Sequence, residues 1–218
     1  MAAIRILLAD DHEFVRRGVR SLIEMQPGWK IVAEVADGHA AVEKSKELKP
    51  DIVILDIGMP RLNGLEAARR VRAVSPQTKV LILSMHDSEN LAKSVVESGA
   101  RGYISKADAA RDLVLAIEAL ERGKVFFTPG MDRMMLQSFL NGGRGRASKE
   151  GLQDPLTSRQ CEIVQLLAEG KSSKEISSLL GLSVKTVETH RANIMRRLRC
   201  HSVADLVRYA VRNNIIQV

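Results

Sequence analysis

Aromatic residues are scarce in this chain: 3% of 218 residues, with one Trp, two Tyr and four Phe. From Pro155 onward the only aromatic is Tyr209, so the stacking surface that binds single-stranded RNA is missing there. Cysteine is scarcer still. Cys161 and Cys200 stand far apart and form no C-x-x-C pair, so no metal or disulfide framework follows. Both read as ordinary thiols of a reducing compartment. No apolar run reaches the length of a membrane span, and the apolar part of "MAAIRILLADD" is too short for a signal peptide. A cytoplasmic protein without membrane contact is expected.

The rest of the composition is that of a globular protein, 45% hydrophobic and 27% charged. The length suits one large domain or two modest ones. The net charge of +7 is unevenly spread. Met1 to Lys124 carries 19 Lys+Arg against 18 Asp+Glu, and Val125 to Val218 carries 14 against 8. A basic C-terminal part beside a nearly neutral N-terminal part suggests a polyanionic partner for the former.

Through residue 122, short apolar runs alternate with amphipathic stretches. The runs are Ile4–Ala9, Ile31–Ala36, Ile52–Leu55, Val80–Leu83 and Gly102–Ile104. Helix-period segments lie near Glu13–Met25, Gly38–Leu48, Gly64–Val74, Ser88–Glu97 and Asp108–Arg122. Five strand-then-helix repeats with nearly unbroken apolar strands predict a parallel α/β sheet covered on both faces.

After Lys124 the pattern changes. "FFTPGMDRMMLQSFL" offers Thr128 as a cap and Pro129 at a first helical position, which predicts a short apolar helix. "NGGRGRASKEGLQD", Asn141 to Asp154, is rich in Gly, Ser and charge and reads as a flexible linker. From Pro155 no strand signal remains. Thr157-x-x-Gln160 and Ser172-x-x-Glu175 match capping boxes, Ser183 suits a further cap, and Gly170 and Gly181 stand where helices stop. Four helices are expected, near Ser158–Glu169, Ser173–Leu180, Val184–Arg199 and Val203–Asn213. The predicted division is thus 1–124, a linker with a short helix over 125–153, and an all-α four-helix unit over 154–218.

In an open parallel sheet, chemistry collects beyond the carboxyl ends of the strands. This sequence places Asp10 and Asp11 after the first run, Asp56 after the third, Ser84 after the fourth, and Ser105 and Lys106 after the fifth. Alone, each has a plain role as a cap, a turn residue or a solvated side chain. Their joint placement at four strand ends singles them out. Three crowded carboxylates repel one another and would hold protons unless positive charge intervenes. Mg²⁺, which takes one or two carboxylates, a carbonyl and waters, meets that need, and Lys106 adds a fixed charge. The pocket suits a metal and one further anion, such as a phosphoryl group.

The Asp10-Asp11 pair, Asp56 in "DIGMPRLNG", Ser84, and Tyr103 and Lys106 in "GYISK" make residues 1 to about 122 resemble the receiver domain of a bacterial two-component response regulator. The resemblance implies a flavodoxin-like, doubly wound, five-stranded sheet. It implies that Asp56 is phosphorylated by a histidine kinase. Asp11, Asp56 and the main-chain carbonyl of Gly58 would hold Mg²⁺, with Asp10 assisting through water. Lys106 would pair with one phosphoryl oxygen and Ser84 would donate to another. Tyr103 would then turn toward the space Ser84 leaves, changing the surface of the fourth helix, fifth strand and fifth helix. One position departs from the family: Ala107 follows Lys106, where many receivers have proline in a cis bond. A cis bond before alanine costs about 3 kcal/mol, which leaves the geometry of this loop open.

Lys174–Leu180, the turn at Gly181-Leu182-Ser183, and Val184–Arg199 have helix-turn-helix spacing. Lys185, Glu188, Thr189, Ala192, Asn193 and Arg196 share a polar face that suits a major groove. The stretch "LTSRQCEIVQLLAEGKSSKEISSLLGLSVKTVETHRANIMRRL" resembles the LuxR-type helix-turn-helix of NarL/FixJ-class regulators, over about residues 152 to 215. Family members often have Glu where Gln160 stands, so an ion pair made by the acid is lost here. Candidates for base-edge contacts are Lys185, Glu188, Thr189 and Asn193. Candidates for phosphate contacts are Lys174, Arg191, Arg196 and Arg197, with Thr186 at the helix N-terminus. Val203, Leu206, Val207 and Ala210 would form the dimer seam that the family places on its last helix, matching a two-fold double-stranded operator.

The expected function is a phosphorylation-controlled transcription regulator that dimerises when phosphorylated. Either the unmodified receiver covers the output helices, or phosphorylation joins two receivers and raises local concentration. A rival is a Mg²⁺-dependent phosphohydrolase with Asp56 as nucleophile. Its general acid commonly lies two residues on, where this chain has Gly58. A constitutive DNA-binding protein with a silent receiver leaves the full acid set unexplained. No enzyme activity is expected beyond slow autophosphorylation and autodephosphorylation.

Overall fold

The computed structural model describes residues 3–85, 88–134 and 156–216. The chain divides into two compact units, Met1–Arg144 and Gly145–Val218. The expected linker at Asn141–Asp154 lies outside the described residues. No helix among the described residues is long and apolar enough to cross a membrane.

The N-terminal unit alternates strand and helix: β1 (Ile4–Ala9), α1 (Glu13–Glu24), β2 (Trp29–Val35), α2 (Gly38–Leu48), β3 (Ile52–Asp56), α3 (Gly64–Val74), β4 (Lys79–Ser84), α4 (Glu89–Ser98), β5 (Gly102–Ser105), α5 (Ala109–Glu121) and β6 (Phe126–Phe127). The sheet is parallel throughout, in the order β2-β1-β3-β4-β5-β6. Period-two alternation sorts the strands' side chains onto two apolar faces. Leu7, Ala9, Val53, Leu55, Val80, Ile82 and Tyr103 pack in one layer, with residues of α2, α3 and α4. Ile4, Ile6, Leu8, Ile52, Ile54, Leu81, Leu83 and Ile104 pack in the other, with residues of α1 and α5. Full burial on both faces is why these strands are continuous apolar runs. Each such side chain contributes roughly 1.5–3 kcal/mol relative to exposure.

Local chemistry starts the helices where the sheet needs them. Asp37 accepts from Ala40 N, Asn63 from Glu66 N and Ser88 from Leu91 N, each supplying an acceptor to an otherwise orphaned helix N–H. Gly64 seats α3 tightly, since a Cβ there would strike the carbonyl of Asp56.

The sheet has six strands, where the sequence predicts five. Phe126 and Phe127 pair in parallel with Gly102 and Tyr103. Two residues are too few to show any periodicity, which is why β6 is illegible in the sequence. Residues 129–134 are helical, and Met131 is fully buried in the core of this unit. The unit therefore continues past Lys124.

The C-terminal unit holds α6 (Ser158–Ala168), α7 (Ser173–Leu180), α8 (Val184–Arg197) and α9 (Val203–Arg212). Its core joins Ile163, Val164, Leu166, Ile176, Val187, Ile194, Leu206 and Ala210. Both expected capping boxes form, and Ser202 with Asp205 makes a third. Gly181 ends α7 with φ of 62°, a left-handed conformation that glycine adopts without strain. Arg159 pins α6 to α7, pairing with buried Glu162 at 2.8 Å and donating to the Leu180 carbonyl at 2.7 Å.

Candidate functional site

Register alone brings the acids together. Ala9 lies opposite Leu55, so Asp10 and Asp56 leave adjacent strands side by side. Ser84 lies opposite Ser105, which places Lys106 at the same edge. The ammonium of Lys106 stands 2.8 Å from Asp10 Oδ2 and 3.0 Å from Asp56 Oδ1. Asp10 is 0% and Asp56 1% exposed, so this ion pairing runs in a nearly water-free pocket. Among the described residues neither of those two oxygens has a hydrogen-bond partner beyond this ammonium, which compensates both of them. Burial pushes the Asp56 carboxyl above its ordinary pKa, Lys106 opposes that shift, and Asp10 adds to it. Burial alone would lower the Lys106 pKa, but its contacts with the two acids together hold it above the usual lysine value.

Asp11 lies at the rim. His12 Nδ1 is 2.8 Å from its Oδ1 and 3.4 Å from Asp10 Oδ1. Asp10, Asp11, His12 and Asp56 each present an atom within 4.8 Å of the others. Three of these four donors are hard oxygens of crowded carboxylates, which fit a hard divalent cation such as Mg²⁺. Gly58 follows in a bend two residues after Asp56. His12 and Arg16 were not among the sequence candidates. Arg16 donates to the Asp10 carbonyl at 2.6 Å and His12 N to Asp10 Oδ1 at 2.8 Å, and both hold the loop that carries the acids. Their only sequence signal is adjacency to the acid pair.

Ser84 and Tyr103 are both fully buried. Tyr103 lies in the core of the α2–α3–α4 face. After Lys106 the chain makes a 3₁₀ turn, Lys106–Asp108, in which Ser105 Oγ accepts from Ala107 N at 3.4 Å. No peptide bond among the described residues is cis.

In the C-terminal unit α8 buries Val187 and Ile194 and exposes Lys185, Thr186, Glu188, Thr189, Asn193 and Arg196. Lys174 on α7 is exposed and Arg191 is half-buried. The Thr189 hydroxyl donates to the Lys185 carbonyl at 2.9 Å, and Thr186 Oγ1 meets Ser183 Oγ at 2.8 Å. Arg197, expected on phosphate, is half-buried and donates to Gln160 Oε1 at 3.1 Å. The amide at 160 thus gives Arg197 a neutral hydrogen-bond acceptor.

The residues expected to form a seam on α9 divide by burial. Leu206 and Ala210 are 1% and 0% exposed, locked into this unit's own core. They follow the helical period inward, and the residues one position away face out. Val203 and Val211 are exposed and Val207 is half-buried, so the available stripe is 203, 207 and 211.

A doubly wound sheet with acids and a lysine at its carboxyl edge, followed in the same chain by a helix-turn-helix unit, defines a signal-responsive transcription regulator. Residues 6–118 match the response regulator receiver domain, and residues 154–210 match the luxR family of bacterial regulatory proteins. The chain belongs to the response regulators that join a receiver domain to a LuxR-type DNA-binding domain. It is 32% identical to the transcriptional regulatory protein DegU of Brevibacillus brevis, over 99% of this chain and 96% of that one. It is 36% identical to the oxygen regulatory protein NreC of Staphylococcus carnosus, over 98% of this chain and 99% of that one. A solved two-component response regulator of the LuxR family from Aurantimonas superposes with a TM-score of 0.60 at 37% identity, covering 64% of this chain and 99% of that one.

Proposed function

We propose that Asp56 accepts a phosphoryl group from a histidine kinase, and that this charge controls dimerisation and operator binding through α8 and α9. The observation that carries the proposal is the Lys106 ammonium, held at 2.8 and 3.0 Å from two buried carboxylates. A carboxylate is a weak nucleophile, so phosphoryl transfer to it depends on positioning and charge neutralisation. In the step, an Asp56 oxygen bonds to phosphorus while the N–P bond of the phosphohistidine breaks and returns its electron pair to the imidazole. Lys106 meets the developing charge on the phosphoryl oxygens. Asp11, Asp56 and the Gly58 carbonyl, with Asp10, would hold Mg²⁺, which supplies further neutralisation when bound.

Modification replaces the single charge of Asp56 with roughly one unit more and adds acceptor oxygens. Lys106 is then drawn from Asp10 toward the phosphoryl group. Ser84, on the same face of the sheet as Tyr103, donates to it. Tyr103 then settles toward the space that Ser84 leaves, so the switch acts by shifting an equilibrium between two positions. Residues 1–124 with β6 receive the signal, and 154–218 read DNA. A hydrolase reading has less support, since Gly58 stands where the general acid would be.

The test is incubation with Mg²⁺ and an acyl phosphate, read by intact mass, solution mass and operator footprint. One phosphoryl adduct is expected per chain, with a heavier particle and a stronger footprint, and Asp56→Asn should abolish all three. An unchanged adduct in Asp56→Asn would remove Asp56 as acceptor.

A further inference from the structure

At the edge of the sheet opposite Asp56, the structure assigns a second ligand site. A cleft of about 490 Å³ opens where β4 and β5 begin and α3, α4 and α5 end. Arg72, Lys79, Arg101 and Lys124 line it, and among the described residues no acidic side chain does. Among the described residues Arg72, Arg101 and Lys124 have no ion-pair partner, and the Lys79 ammonium donates only to the Glu121 carbonyl, at 3.1 Å. Three of these cations thus converge on one concavity without a counter-charge.

Helix C-termini attract cations, and that attraction alone is too small. Each helix end carries about −0.5 of a charge, so the three ends supply about −1.5 against four full positive charges. Even with Lys79 discounted, because Glu121 and Asp51 line the smaller cleft beside it, positive charge is left over. The site also makes room for one of its cations. Gly99 has φ of 78°, and a Cβ there would collide with the Arg72 guanidinium. Arg72 lies over the glycine, inside the cleft wall.

We propose that this cleft binds a nucleoside polyphosphate. The residual charge calls for an anion carrying at least two negative charges. The volume falls within the range of small-molecule sites, which run from roughly 300 to 1,000 Å³, and exceeds what a single orthophosphate fills. Pro76, exposed at the rim, offers an apolar contact for a base, while the guanidinium groups of Arg72 and Arg101 suit paired phosphate oxygens. The site is distinct from the phosphoacceptor pocket, but β4 and β5 carry Lys79 and Arg101 at one end and Ser84 and Lys106 at the other. The proposal stands whether or not Asp56 is phosphorylated.

The test is equilibrium dialysis of ATP and GTP against the full-length chain at low ionic strength without Mg²⁺, with amide chemical-shift mapping. One nucleotide per chain is expected, displaced roughly tenfold less well by orthophosphate or adenosine. Shifts should cluster at Lys79, Gly99, Arg101 and Lys124. Arg101→Glu should weaken binding by at least roughly tenfold, and Lys124→Ala by a smaller factor. Circular dichroism checks that each variant is folded, and Lys124→Ala carries the test if Arg101→Glu is not. No saturable binding, orthophosphate binding as tightly as ATP, undiminished binding in the folded variants, or shifts confined to α8 would each overturn the proposal.

Discussion

Lys106 is the counter-charge for two buried carboxylates, and its loss leaves both uncompensated. Lys106→Ala is expected to cost about 3–5 kcal/mol in urea unfolding. Asp56→Asn should act in the opposite direction in metal-free buffer, raising the melting temperature, because burial already disfavours the ionised form. The double variant should lose less than the sum of the single effects, since the acid that suffers most from losing Lys106 is gone. Strict additivity would show that the two side chains do not act on each other. Asp205 offers a contrasting case at the surface. Its carboxylate accepts from the Ser202 hydroxyl and from the backbone N–H of His201 and Ser202, and these bonds lower its pKa from 3.8 to about 2. A lowered carboxyl pKa stabilises the fold above the unfolded value, and that contribution is lost as pH falls through the folded one. Asp205→Asn should therefore speed amide exchange in α9 at neutral pH, with the difference from wild type narrowing as pH drops below about 4. A gap constant from pH 7 to 2 would count against the ionised cap.

The helices of the C-terminal unit show how far a one-dimensional pattern reaches. Caps at Thr157, Ser172 and Ser183 are legible because each cap needs a particular side chain at a particular spacing, and α7 begins and ends where the sequence puts it. The side of α9 that is buried is less legible, because Val203, Leu206, Val207 and Ala210 are all apolar or small and only packing decides which turn inward. Val203→Asp should leave the fold intact and lower the mass of the phosphorylated particle. Leu206→Ala should instead destabilise the unit by about 2–5 kcal/mol; the reverse pattern would put the seam back on Leu206. On α8, Asn193→Ala is expected to weaken one operator sequence preferentially. Arg196→Ala should weaken all sequences alike and flatten the salt dependence of binding by about one counterion. Arg196 is a cleaner phosphate probe than Arg197, whose guanidinium also ties α8 to Gln160. Equal losses on every sequence for Asn193→Ala would take it out of base readout.

Across the molecule, the strand ends that collect acids were readable because parallel sheets bury their strands and free their carboxyl edge, so Asp10, Asp56 and Lys106 could be placed without coordinates. The opposite edge was not readable. Arg72, Lys79, Arg101 and Lys124 sit on different elements, and nothing in their spacing shows that three helix ends gather them. β6 was hidden for the related reason that it exists only through its partner. That dependence has a cost for any attempt to cut the molecule apart. A fragment ending at Lys124 looks complete by pattern, yet it lacks Phe126 and Phe127 and leaves the outer backbone of Gly102 and Tyr103 bare. A bare margin of N–H and C=O groups is a template on which another chain can lie. Light scattering should find the 1–124 fragment self-associating at concentrations where a 1–134 fragment stays monomeric. Two phenylalanines on the way out of the sheet thus act as its hem, and the place to divide the protein lies beyond them.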